Sequence, residues 1–102
     1  DKPLLLMPEK LIYPWVVGDC LSISLEALSP ILMLKPQLIL FGTGKHWQNL
    51  PPQLYSAIQQ MNIGVEMMQT ASACRTFNLL QEEGRQVAAA LWPPGVIFQR
   101  SN

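Results

Sequence analysis

Side chains of the metal-binding and redox kind are scarce in this sequence. It holds one histidine, His46, and two cysteines, Cys20 and Cys74. These are too few to complete the four-ligand Cys/His set of a structural zinc site. Two cysteines in 102 residues also fall short of a disulfide scaffold; a single Cys20–Cys74 bridge is one option, but reduced thiols in a cytosolic or matrix setting are the expectation. Charge is sparse as well. Only 14% of residues are Asp, Glu, Lys or Arg, seven of each sign, for a formal net charge of zero. No run of Lys or Arg occurs, so neither nucleic acid nor an anionic membrane surface is an expected main partner. The longest apolar stretch near the start, Pro3 to Met7, is too short for a signal-peptide core or a membrane span.

Apolar residues, by contrast, make up 49% of the chain. That balance describes a folded domain rather than a disordered one. The length fits one core, so residues 1–102 are read as a single domain.

Along the chain, Leu4–Met7 reads as a short strand ended by Pro8, with Leu11–Tyr13 resuming after the turn. Trp15–Val17 is a continuation or a further short strand before Gly18-Asp19, and the prolines favour an edge position. Ser22 or Ser24 can cap a short helix through Leu28, with Glu26 near its N-terminus. Ser29-Pro30 is expected to end it. Ile31–Leu34 is either another helical turn or loose apolar packing. Gln37–Phe41 is apolar without alternation, the mark of a strand covered on both faces. Pro51-Pro52 opens an amphipathic helix with Leu54, Ile58 and Met61 on one side, stopped by Asn62 and Gly64. Val65–Met68 is the next strand, Thr70–Glu83 a helix closed by Gly84, and Gln86–Leu91 a final strand. Val96–Phe98 is one more edge candidate. Strand, helix, strand, helix, strand from Gln37 onward signals crossover units with a parallel core, preceded by an antiparallel front third. The expected fold is α/β (α+β mixed), a mixed sheet covered by helices.

Chemistry concentrates in two places. Gly42-Thr43-Gly44 follows a strand directly, where open α/β sheets bind ligands, although a plain tight turn is the favoured reading. It is not a phosphate loop, because His46 follows Lys45, nor a dinucleotide fingerprint, because Trp47 takes the third glycine's place. The helix from Thr70 carries the rest. Thr70 or Ser72 can cap it; Ala73, Phe77, Leu80 and Gly84 form its core face; Cys74, Asn78 and Gln81 line the shoulder, with Arg75 and Glu82 more outward. Cys74 in the first turn is either a reactive thiol, conceivably paired with His46, or a small buried residue; the latter is favoured. If Val65–Met68 is a central strand, Glu66 either faces a pocket or pairs with a base such as Arg75 or Arg85, since a buried lone charge costs too much; the structural ion pair is the favoured reading. Trp15, Trp47 and Trp92 read as core or rim aromatics, and Met61, Met67 and Met68 as core filler.

The set Gly42-Thr-Gly44, Ile63–Met68, Thr70, Ala73–Asn78, Glu83-Gly-Arg85 and Val87–Leu91 resembles a small family widespread in bacteria and archaea. Its function is largely unknown, and a eukaryotic branch includes a mitochondrial assembly factor for respiratory complex I. The resemblance is specific from Gln37 to Leu91 and looser over Leu4 to Trp15. It implies a three-layer fold, with helices and a small β layer around a central mixed sheet, and a strand pair ahead of Leu4 that this chain is expected to lack. It also implies a pocket where the glycine loop meets the Thr70 helix, with Gly42, Thr43, Gly44, Thr70, Cys74, Arg75, Thr76 and Asn78 as its candidates. Phe77 stands where many relatives have Tyr, which removes any role for that hydroxyl. No complete catalytic set is present, and neither a cofactor nor a metal is called for. The leading expectation is therefore a non-enzymatic adaptor or assembly factor with an unidentified protein partner. A small-ligand or anion-binding protein using that pocket comes second, and a thiol-dependent enzyme built on Cys74 third.

Overall fold

The apolar run after Pro36 becomes β3, Leu38–Thr43, every residue but its first fully buried. A computed structural model of the chain describes residues 2–15, 17, 23–44 and 49–93. Its other elements are β1 (Leu4–Met7), β2 (Lys10–Ile12), a 3-10 turn at Glu26–Leu28, α1 (Ser29–Leu32), α2 (Pro52–Gln60), β4 (Gly64–Met68), α3 (Thr70–Glu82) and β5 (Val87–Trp92). They form one mixed sheet in the order β2-β1-β5-β3-β4. β3 pairs in parallel with both β4 and β5, while β1 runs antiparallel to β5 and to β2. The expected parallel core and antiparallel front third are both present. All strands among the described residues belong to this one sheet, the β1–β2 hairpin included, and none of them forms a separate small β layer.

Strand periodicity divides the core in two. Ile39, Phe41, Ala88, Ala90 and Trp92 point to the face that carries Leu54 and Ile58 of α2 and Leu28 and Ile31 around α1. Leu40, Val87, Ala89 and Leu91 point to the other face, which Ala73 and Phe77 of α3 cover. That is why β3 and β5 show no alternation in sequence. The alanines at 88–90 let both helical layers approach closely. Burying Phe77, 2% exposed, contributes about 1.5–3 kcal/mol by removal of apolar surface from water. Trp15 and Trp92 meet in a tilted ring pair, centroids 5.3 Å apart, and the Trp15 indole N–H donates to the Ala27 carbonyl at 3.1 Å.

Several local expectations are corrected. The short helix through Leu28 does end there, as a 3-10 turn with Ser29 as its C-cap, but Ser29-Pro30 also begins α1 at once, with Pro30 in its first turn, where the missing N–H leaves nothing unpaired. Ser24 nonetheless accepts a hydrogen bond from the Ala27 amide at 3.3 Å. Ile31 and Leu32 complete α1, and Met33 and Leu34 follow it exposed. Met61 is not core: it lies just past α2 and is 46% exposed. Asn62 supplies the helix stop with φ 67°, but Gly64 is the first residue of β4. Trp15 is not part of a strand; it follows a cis Tyr13–Pro14 bond. The expectations for Gly18, Asp19, Cys20, Ser22 and Val96–Phe98 lie outside the described residues.

Candidate functional site

Gly42 and Thr43 are not a loop after β3 but its last two residues, and both are buried. A methyl group on Gly42 would sit 2.8 Å from Leu91 Cδ2, 2.9 Å from the Thr70 Cα and 3.2 Å from the Ala73 Cβ. The glycine is therefore a contact residue for helix α3, whose first turn rests directly on the strand. Small residues at 42 and 73 bring the two backbones together, and no gap separates them there.

Thr70 does not cap α3. The residue before the helix is Gln69, and no side chain caps its N-terminus. Instead the Thr70 amide donates to the Gly44 carbonyl at 2.9 Å, and the Gly44 amide donates to Thr70 Oγ1 at 2.7 Å. The same hydroxyl donates to the Trp92 carbonyl. Thr43 Oγ1 donates to the Met68 carbonyl at 3.4 Å. Two threonines thus tie the carboxyl ends of β3, β4 and β5 into one clasp. The hydroxyls that looked like ligand groups have protein partners.

The remaining candidates do not converge on the clasp. Arg75 is exposed, and its guanidinium donates to Ser72 Oγ at 3.2 Å, one turn earlier. Asn78 is exposed and Thr76 half-buried. Cys74 is a free thiol packed at the margin of the α3 core cluster, half-buried rather than buried. His46, its conceivable partner, lies outside the described residues. The Gln81 amide on the shoulder donates to the Pro8 carbonyl at 3.1 Å, fastening α3 to the β1–β2 turn. Glu66 is exposed, because β4 is an edge strand rather than a central one. Its carboxylate is solvated there, which removes the energetic reason for an ion pair with Arg75 or Arg85.

The surface depressions of 340–560 Å³ among the described residues are lined by other side chains. One of about 560 Å³ is lined by Leu25, Leu32, Met33 and Met61 together with Glu26 and Ser29. A second, about 480 Å³, shares Leu32 and Met61 and extends past Lys35 to Ile63. Both lie at the amino end of the parallel strands, because residues 33–37 lead into β3 and residues 61–63 lead into β4. A third, about 420 Å³, runs from Leu34 and Pro30 to the β1–β2 turn. Met33, Leu34 and Met61 are 78%, 49% and 46% exposed. The one sequence sign of this surface was Ile31–Leu34, an apolar run with no polar face for water.

Known proteins share this arrangement. The chain is 40% identical over 94 residues to a Mus musculus protein called NADH dehydrogenase 1 alpha subcomplex assembly factor 3, covering 90% of this chain and 50% of that one. It thus spans half the length of that relative. It is 35% identical over 93 residues to a Francisella tularensis protein called a 13 kDa major membrane protein, covering 89% of this chain and 75% of the other. Among the described residues, no helix is long and apolar enough to cross a membrane. A solution structure from Xanthomonas campestris superposes with a TM-score of 0.84 at 35% identity, over 93% of this chain and 72% of that one. The family pattern described as "Protein of unknown function (DUF498/DUF598)" matches residues 1–92, and the chain belongs to that family.

Proposed function

We propose that this chain is a non-enzymatic adaptor of the assembly-factor kind, acting through protein contacts in a cytosolic or matrix compartment. The observation that carries this reading is the apolar surface at the amino end of the sheet, where Met33, Leu34 and Met61 stand open to water. Leaving such side chains uncovered in a small domain forgoes about 1 kcal/mol or more each, and clustered exposure of that kind marks interaction surfaces. The name of the mouse relative, an assembly factor, supports the same reading.

The ligand-pocket reading has less support. Thr70 and Gly44 spend their polar atoms on each other and on Trp92, and Arg75 turns to Ser72. The test is native purification of the full-length chain followed by intact-complex mass spectrometry. A stoichiometric protein partner is expected. Recovery of the chain alone, or with chaperones only, refutes the adaptor reading.

A further inference from the structure

The two depressions share Leu32 and Met61 and together are treated as one trough, with Glu26 lining the first part and Lys35 the second. We propose that this trough seats a single amphipathic helix of a partner protein, with a basic residue against Glu26 and an acidic one against Lys35. The inference rests on the adaptor reading and names the kind of partner.

Three observations select that occupant. The first is the nature of the floor: leucine and methionine side chains, the latter flexible and polarizable, adapt to the knobs of a helix face. The second is area. Met33 and Met61, which line the trough, are 78% and 46% exposed, which offers a few hundred Å² at most. A stable dimer takes about 800 Å² from each partner, so a second copy of this chain is too large an occupant for so small a patch, whereas one helix face matches it. The third is charge. Glu26 lines one depression and Lys35 the other, both exposed and of opposite sign, which suits a helix that carries charges of both signs beside its apolar stripe. A membrane surface asks instead for a cluster of cations, and the chain carries equal numbers of each sign.

The probe is a capped synthetic peptide of about four helical turns, with leucines at i, i+3, i+4 and i+7, an arginine at one end of the stripe and a glutamate at the other. Methyl-labelled methionine makes the protein report on itself by NMR. Saturable shifts of Met33 and Met61 are expected, with Met7, buried at 4%, unchanged. Placing two arginines or two glutamates at the ends is expected to weaken binding about fivefold. Met33→Glu, a change at an exposed position, is expected to weaken it about tenfold with the fold intact. No saturable shift up to about 1 mM overturns the proposal, as does equal binding of the charge-altered peptides. So do Met33 and Met61 signals that move with protein concentration, meaning self-association, or with anionic lipid vesicles in place of the peptide. A native partner retained by Met33→Glu removes the trough but leaves the adaptor reading standing; the absence of both peptide and native partner removes both.

Discussion

Two residues at the carboxyl end of the sheet decide how α3 sits. Thr70 serves two strand ends, those of β3 and β5, with one hydroxyl and one amide. Thr70→Val keeps the shape but leaves the buried Gly44 amide without its acceptor, at about 1–3 kcal/mol, and takes one hydrogen bond from the Trp92 carbonyl, at about 1 kcal/mol. The expected loss is about 2–4 kcal/mol in urea unfolding, with Thr70→Ser recovering most of it. Equal stability of the valine variant would show that the clasp contributes nothing. Gly42 poses a steric question instead. The Thr70 Cα, 2.9 Å from an added methyl, is backbone and cannot rotate away as a flexible side chain could. Gly42→Ala is therefore expected to cost about 1–3 kcal/mol, the usual range for overpacking, read from the same urea curves. Glycine here answers to packing, as the third glycine of a dinucleotide fingerprint does.

The elements were legible where their signals were periodic. β3, β5, α2 and α3 came from uninterrupted or helically spaced apolar residues, and each formed within two residues of its expected bounds. Legibility failed where one local sign served two structures. Proline after Ser29 reads as a helix end by its effect on the preceding residue, and as a helix start by its missing donor; here the 3-10 turn ends at Leu28 and α1 starts at Ser29, with Leu28 and Ile31 both in the same core cluster. Threonine at a helix start reads as a cap because its tertiary acceptor, Trp92, lies far along the sequence. The same limit applied to Glu66, since nothing in Val65–Met68 states that β4 is an edge strand. Exposed there, Glu66 pairs with nothing that its removal would orphan. Glu66→Gln is thus expected to change stability by less than about 0.5 kcal/mol. A loss of about 3 kcal/mol or more, the mark of a broken buried ion pair, would restore the original expectation.

At the scale of the whole molecule, one sheet separates two cores, and each half of the chain's chemistry sits at one end of it. The carboxyl end is closed by hydrogen bonds and a glycine contact; the amino end is open and apolar. This polarity is what the sequence could not display, because the carboxyl end of parallel strands carries sites so often that its polar residues drew the functional reading. The two-core arrangement makes a separate prediction. Ile58 packs with Phe41 and Trp92 on one face, and Phe77 packs with Leu40 and Leu91 on the other. Ile58→Val removes one buried methylene and is expected to cost about 0.5–1.5 kcal/mol, with a similar cost for the modest truncation Phe77→Leu. Because the two side chains share no partner across the sheet, their costs should add to within about 0.5 kcal/mol. Thr70→Val and Gly42→Ala meet at one contact, so their double variant should depart from additivity by about 0.5 kcal/mol or more. The buried Trp15–Trp92 pair reports both experiments by fluorescence. Strong coupling between Ile58 and Phe77 would mean that the sheet transmits strain from face to face, and the two layers could then no longer be treated as independent supports of one scaffold.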